Sequence, residues 1–339
     1  MKTLITGGAG FIGCNAAARS MSRGENLVVL DDLSRVGSSL NLAWLQSRGA
    51  FEFRQVDLRD ERAVEAAIRD HADVDRVLHL AGQVAVTTSV ADPRSDFGAN
   101  AFGTLNLLEA LRLFAPEAAL LYASTNKVYG GLEHLAVEAR EDRYVYADAP
   151  DGVAETAPLD FHSPYGCSKG SADQYVRDYH RIYNLRTTVF RQSCIYGYRQ
   201  FGVEDQGWVA WFTIAARQGR PMRIYGDGKQ VRDVLFIEDL LDAYDAAFSR
   251  PDAAAGRIYN IGGGPSNAIS LRQLLGYLET RAGRPLAVSF HDWRPGDQRV
   301  FVSDIRRSGS ELGWTPQTSW QQGIQRLSQW VEEHQVLFT

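Results

Sequence analysis

Short runs of apolar and β-branched residues alternate along the first half of the chain with longer segments whose apolar positions recur at helical spacing. The runs near residues 2–6, 26–31, 51–56, 76–81, 118–124 and 187–192 predict strands, and the segments near 11–23, 60–70, 95–115 and 164–184 predict helices. A repeated βα unit of this kind calls for a parallel sheet covered on both faces, so the expected fold is α/β, a Rossmann-type doubly wound parallel sheet.

After about residue 195 the pattern becomes less regular. "FGVEDQGWVAWFTIAARQG" predicts a helix, "MRIYG" a short strand, "FIEDLLDAYDAAF" and "SLRQLLGYLETRAG" two more helices. That divides the chain into a dinucleotide-binding domain over 1–192 and a smaller C-terminal lobe over 193–339, mainly for substrate, with room for the chain to cross back once. The polar stretch from Gly131 to Asp160 is long for a connection and reads as a loop covering a site.

Composition narrows the class. With 339 residues, 45% of them hydrophobic, the chain can bury a large core. A net charge of −5 argues against a nucleic-acid partner, although short arginine clusters can still grip a small anionic ligand. Three cysteines, Cys14, Cys167 and Cys194, lack metal-ligand spacing, so neither a disulfide framework nor a metal site is indicated, and a reducing cytoplasm fits. The opening "MKTLITGGAGFIG" breaks its apolar residues with Thr and Gly, which excludes a signal peptide or membrane span there.

That opening also carries the strongest local signal. Gly7, Gly10 and Gly13 stand in GxxGxxG spacing between a strand and an amphipathic segment opened by Phe11 and Ile12. Glycines there permit a tight turn, let the backbone approach a pyrophosphate and aim a helix N-terminus at its charge. A glycine triplet alone is equally a plain strand-to-helix turn. Asp31, ending the second strand beside Asp32, stands where a carboxylate meets an adenosine ribose, and it favours NAD over NADP because it repels a 2′-phosphate; Arg35 nearby tempers that preference. Asp57, beside Leu58, is placed either to meet the adenine or to cap a helix. Leu80, Ala81 and Gly82 give small backbone where a cofactor would pass.

"FHSPYGCSKGSADQY" sets Tyr165 and Lys169 four apart, on one helical face, with Pro164 placed to start the helix. A lone YxxxK is most simply a solvated face. Here it follows a dinucleotide fingerprint and "LLYASTNKVYG", whose Ser124 and Thr125 put hydroxyls at the carboxyl edge of the sheet. Tyrosine, with a pKa of ~10, needs about 4 kcal/mol of phenolate stabilisation to act as a base near pH 7. A lysine ammonium and a positive nicotinamide ring can supply it. Thr125 would then hold a substrate hydroxyl while Tyr165 takes its proton and the carbon gives up hydride.

Taken together, the fingerprint, "STNKVYG", "SPYGCSK", "VRDVLFIEDL" and "RPGDQR" resemble the extended short-chain dehydrogenase/reductase family of nucleotide-sugar-modifying enzymes, over almost the whole chain. "AGQVAVTTS", "LDFHSPYGCSKGSADQY", "YRQFGVEDQGW" and "GDQRVFVSDI" are most similar to its CDP-hexose 2-epimerases. The resemblance implies Thr125, Tyr165 and Lys169 as the catalytic set, NAD as cofactor among the residues named above and Asn100, and Arg232 and Arg294 on the nucleotide diphosphate. Further candidates for the CDP-hexose are Gln83, Asn126, Lys127, Gln192, Ser193, Gln206 and His162, which either faces the pocket or caps its loop. The sugar dehydratases of the family carry an Asp-Glu pair where this chain has Asn126 and Lys127, so dehydration is not expected. The 4-epimerases place an asparagine in the strand end that here reads "FRQSCIYG". Cys194 has no base partner in sequence and reads as a small pocket or core residue, and His79 as a strand-end histidine bonded to backbone. The expected activity is epimerisation at C2 by transient oxidation, with a UDP-sugar 4-epimerase or a catalytically silent dinucleotide sensor as alternatives. A homodimer or homotetramer is implied by the family alone.

Overall fold

The computed structural model describes residues 1–204, 206–294 and 298–338. Strands β1 (Lys2–Thr6), β2 (Asn26–Asp31), β3 (Glu52–Gln55), β4 (Arg76–His79) and β5 (Ala119–Thr125) alternate with helices, among them α1 (Phe11–Ser22), α2 (Ser38–Arg48) and α3 (Glu61–Arg69). With the strands Arg186–Gln192 and Ile258–Ile261 they form a seven-stranded sheet ordered Ile258–Ile261, Arg186–Gln192, β5, β4, β1, β2, β3. β1 pairs in parallel with both β2 and β4, so the order reverses at β1, and open α/β sheets bind ligands at the carboxyl ends beside such a reversal. Thr6 is in register with Leu30 on one side and His79 on the other.

The sheet is covered on both faces, as its apolar runs require. Leu4, Ile5, Val28, Val29, Val77, Leu78, Leu120 and Leu121 are all at most 3% exposed, and each such aliphatic side chain contributes about 1.5–3 kcal/mol by leaving water. α3 shows the helix-level logic plainly. Asp60 caps it by accepting from the Ala63 N–H, and Val64, Ala67 and Ile68 make its buried stripe.

Two compact units divide the chain, interleaved in sequence. The first holds residues 1–128, 161–191 and 241–259; the second holds 129–160, 192–240 and the rest from Asn260. In the second unit the strand Val231–Phe236 is central, pairing with Cys194–Tyr196, Ala268–Ser270 and Val300–Phe301. Helices Leu271–Ala282 and Trp320–Glu333 both start with a complete capping box, Ser270 with Gln273 and Ser319 with Gln322.

Several elements are not in the expected pattern, among them the strands Val231–Phe236 and Ile258–Ile261 and the helix Trp320–Glu333, and three further local features differ from it. A helix, α2, occupies "SSLNLAWLQSR". The long helix expected over 95–115 is three pieces, Pro93–Phe97, a π-helical turn Gly98–Phe102, and Gly103–Phe114. The polar stretch from Gly131 contains a two-stranded hairpin, Val137–Ala139 with Tyr144–Tyr146. It is anchored within the second unit: Tyr144 Oη donates to Asp227 at 2.8 Å and Tyr146 Oη to the Val300 carbonyl at 2.8 Å.

Candidate active site

The glycine turn after β1 is held by strict sterics. Gly7 has φ +68°, donates its N–H to the Leu30 carbonyl at 2.7 Å, and lies so close to β4's end that an added Cβ would meet Ala81 N at 2.7 Å. At Gly13 a Cβ would stand 2.1 Å from the Gly7 carbonyl oxygen, so α1 packs directly on the loop. Gly10 is different. Its Cβ would find only the Gly7 oxygen, at 3.2 Å, and as N-cap of α1 it offers no side chain to that helix end, whose first turn contains no acidic residue. A helix start without a side-chain cap or an acidic first turn can cradle a pyrophosphate.

Asp31 ends β2 and is 8% exposed. One carboxylate oxygen accepts from the Ala9 N–H at 2.9 Å and the other from the Leu33 N–H at 2.8 Å, tying this carboxylate to the glycine loop. Burial pushes its pKa up, and those backbone bonds oppose the rise. Asp32 is turned to Ser34, accepting from its N–H and its hydroxyl. Asp57 is gripped by Arg59 at 2.6 Å, an ion pair with both side chains well exposed, and the Arg59 guanidinium holds its pKa down. Leu58 is buried under the Gly103 backbone.

At the neighbouring strand ends the candidate acid/base groups are buried. β5 ends at Thr125, 6% exposed, whose Oγ1 accepts from the Lys127 N–H at 3.2 Å and lies 3.4 Å from Asn126 Oδ1. The helix Ser163–Tyr183 supplies Tyr165 and Lys169, 8% and 5% exposed. Burial raises Tyr165 to about 12; a hydrogen bond from Thr125 works the other way, Asp96 adds to the rise and Arg35 opposes it. Burial likewise lowers Lys169 to about 7, against the pull of Asp173 and Asp96. The ammonium donates to the Ala123 carbonyl at 2.5 Å and sits 4.3 Å from the centre of the Tyr122 ring. Burial thus disfavours the charged form of both groups, and hydrogen bonds to the phenolate and positive charge nearby bring the phenol down.

Asn100 stands on the π-helical turn, 1% exposed. Its amide nitrogen donates to Ser168 Oγ at 3.0 Å and Asp96 Oδ1 at 3.2 Å, while its oxygen has no partner and lies 2.5 Å from where a Cβ on Gly82 would be. His162 is the exposed N-cap residue of the Ser163–Tyr183 helix and makes no side-chain cap. Gln83 turns its amide onto the Ala85 backbone, donating to the carbonyl at 2.7 Å and accepting from the N–H.

His79 differs from expectation. Its partners are hydroxyls, Thr6 at 2.7 Å and Thr104 at 2.9 Å, not backbone; complete burial, with the charge of Lys169, lowers it to about 3 and keeps it neutral. Sequence reasoning also missed a buried set on the same helix as Lys169. Asp173 accepts from Ser124 Oγ at 2.7 Å and pairs with Arg191 at 2.9 Å, with both charged side chains at most 2% exposed. Its position four residues after Lys169 was the available signal.

The second unit carries the remaining candidates. Ser193 donates to the Asp233 carboxylate at 2.5 Å, and Gln192 is 7% exposed beside it. Cys194 Sγ accepts from the Trp208 indole N–H at 3.4 Å. Gln206 closes a tight turn with Val203, their N–H and carbonyl groups exchanging bonds of 2.9 and 3.0 Å. Arg232 donates to the Val231 carbonyl at 2.8 Å, and the Arg294 guanidinium lies 4.0 Å from the centre of the Tyr225 ring. Asp205 and residues 295–297, parts of "YRQFGVEDQGW" and "RPGDQR", lie outside the described residues.

The residues of the first unit fit a dinucleotide. They combine a glycine turn, a helix start without a side-chain cap, a carboxylate at the end of β2, and an unpartnered buried acceptor on Asn100. Among the described residues no cluster of His, Cys, Asp and Glu could hold a metal ion, and no helix is long and apolar enough to cross a membrane.

Comparisons with known proteins agree with this geometry. The chain is 46% identical over 336 residues to the CDP-paratose 2-epimerase of Salmonella typhi, covering 98% of this chain and 99% of that one. It is 33% identical to the UDP-glucose 4-epimerase of Mycolicibacterium smegmatis, covering 96% of each. The crystal structure of the Thermus thermophilus UDP-glucose 4-epimerase in complex with NAD superposes with a TM-score of 0.81 at 31% identity, covering 98% of this chain and all of that one. Residues 3–262 match the family model described as NAD dependent epimerase/dehydratase, and the chain belongs to that family.

Proposed function

We propose that this chain is an NAD-dependent nucleotide-sugar epimerase that inverts C2 of a CDP-hexose, in the sense of CDP-paratose to CDP-tyvelose. The observation that carries the reading is the 46% identity, sustained over 98% of the chain, to a CDP-paratose 2-epimerase, against 33% to a UDP-glucose 4-epimerase. The chemistry that NAD would supply when held there is reversible hydride transfer, so that no external reductant is consumed.

The chain's own residues would do the rest. Thr125 orients the sugar hydroxyl by a hydrogen bond and Tyr165 removes its proton. Lys169, lying on Tyr122 beside the end of β5, supplies positive charge to the phenolate. The tyrosine returns the proton once the keto sugar has presented its other face. Asn126 and Lys127 leave no carboxylate next to Thr125 to exchange a carbon-bound proton, which supports oxidation at C2 itself over enolisation from a C3 ketone. Asp31, Asn100 and the glycine turn would hold the cofactor, with Phe11, Ile12, Asp32, Asp57, Leu58, Leu80, Ala81 and Gly82 around it. Arg232 and Arg294 would bind the diphosphate, with Gln83, His162, Gln192, Ser193 and Gln206 toward the sugar and base. The first unit thus serves the cofactor and the second mainly the substrate. A cytoplasmic homodimer or homotetramer completes the reading, in keeping with three cysteines that form no disulfide.

Incubation with CDP-paratose in deuterium oxide tests it. The expected product is CDP-tyvelose with protium retained at C2. Deuterium at C2 would defeat direct oxidation there, and turnover of UDP-glucose at C4 with none of the CDP-sugar would defeat the assignment.

A further inference from the structure

Asp96 has no place in the chemistry above, yet it is completely buried beside it. It sits on the short helix Pro93–Phe97, one helical turn before Asn100. Its Oδ2 accepts from Ser168 Oγ at 2.5 Å and its Oδ1 from Asn100 Nδ2 at 3.2 Å. Ser168, adjacent to Lys169, has two acceptors for its single proton, the carboxylate and, farther off, the Tyr165 carbonyl at 3.2 Å, so toward Asn100 Nδ2, at 3.0 Å, its oxygen is left to accept. A carboxylate is an acceptor only. Two acceptors therefore face one end of the Asn100 amide, and that end must be the nitrogen.

The other end of the amide follows by necessity. With its nitrogen fixed, Asn100 can present only its oxygen to the space beside Gly82, where it is buried and without a partner. A Cβ at Gly82 would stand 2.5 Å from that oxygen and 4.0 Å from Lys169 Nζ, so Gly82 leaves the acceptor uncovered toward the lysine. A buried acceptor left bare costs about 1–3 kcal/mol, which a donor arriving with a ligand would restore. Burial raises the Asp96 pKa, while the Ser168 bond and the charge of Lys169 oppose that rise and favour the ionised, acceptor-only form.

We propose that Asp96 is a positioning residue: through Ser168 and directly, it locks the Asn100 amide with its oxygen facing the cofactor cleft, where that oxygen accepts a hydrogen bond from a donor of the bound dinucleotide. The inference rests on the NAD-binding reading of the first unit and adds to it the group that sets the amide's orientation. An asparagine at 96 keeps the size but offers a nitrogen of its own, which lets the Asn100 amide turn and present donors where an acceptor is needed.

A double-mutant cycle on NAD affinity, read by equilibrium binding rather than by turnover, tests this. Asp96→Asn and Asn100→Ala should each weaken NAD binding by about 10-fold, and the double variant by about 10-fold again, not 100-fold, because the second change has nothing left to disturb. Multiplying losses would mean that the two residues act separately and would overturn the proposal. So would Asp96→Asn binding NAD like the parent with an unchanged melting midpoint. If Asp96→Asn fails to fold, Ser168→Ala, which removes the other acceptor on the same amide nitrogen, takes its place in the cycle: losses that multiply with Asn100→Ala, or unaltered NAD affinity in either variant, would overturn the proposal. A parent protein without NAD affinity would instead sink the underlying reading.

Discussion

The polar groups at the strand ends of the first unit and the cations of the second are built on opposite terms. Tyr165, Lys169 and Thr125 are at most 8% exposed, bonded to backbone or to one another, and burial moves the first two toward neutrality. Arg232 and Arg294 are half-buried and rest on a main-chain carbonyl and an aromatic face. Proton transfer needs a pKa that the surroundings can move, which demands a dry and over-determined site. Gripping a diphosphate needs only charge that can reach it, and that tolerates water. The largest effect should follow from removing the Tyr165 hydroxyl. Tyr165→Phe should lower kcat by roughly 1,000-fold, within the range for losing a general acid/base, while NAD and nucleotide-sugar affinities stay near those of the parent. Single-turnover and equilibrium-binding measurements read the two separately, and near-normal kcat would erase the contrast.

A second comparison lies inside the glycine turn. A Cβ at Gly13 would enter backbone at 2.1 Å, whereas one at Gly10 meets a single oxygen at 3.2 Å. Gly13→Ala should therefore lower the folding yield and the melting midpoint. Gly10→Ala, whose methyl needs the Gly7 carbonyl to give by only a few tenths of an ångström, should fold with a far smaller drop in melting midpoint and lose NAD affinity, on the order of 100-fold, because the added methyl would stand in the way of a pyrophosphate. If both variants fold alike and bind NAD alike, the turn is merely structural.

These contrasts mark what could be read from the chain alone. The glycine spacing, Asp31 and the Tyr165–Lys169 pair were legible because each is a local pattern with a local reason. α2 was not, because its buried stripe is Ser38, Asn41, Leu42 and Leu45, at helical spacing but half polar, so no apolar period appears. Asp96 and Asn100, four apart, could have been paired from sequence, but their common partner Ser168 is 72 residues beyond Asp96, and only the fold brings it there. His79 illustrates the same limit: strand position predicts burial, yet which hydroxyls meet its ring depends on β1 and the helix Gly103–Phe114.

Cation loss in the second unit should act on binding. Arg232→Ala should raise KM for the nucleotide sugar about 10-fold with kcat within about 2-fold, the loss of one charge-assisted bond. An unchanged KM would return Arg232 to a structural role.

The prediction that most directly measures the dryness of the first unit is a stability difference. In the cofactor-free protein Lys169 titrates at about 7, against ~10.4 in an unfolded chain. Between those values the unfolded state holds a proton that the native state lacks, so this group makes stability rise with pH, by at most about 1.4 kcal/mol per unit. Below pH 7 the ammonium is charged in both states, and its full burial penalty is present. Lys169→Met removes the titration and keeps most of the volume. Relative to the parent, the variant should gain most at pH 6, and its advantage should shrink steadily as pH rises toward 10. The difference between the two denaturant midpoints, taken without NAD at pH 6, 7.5 and 9, reads Lys169 together with the Asp96, Asp173 and His79 charges coupled to it, because every group outside that set cancels. A flat difference would mean that the ammonium is as well solvated as the arginines of the second unit, and the contrast between the two regions would fail at its centre.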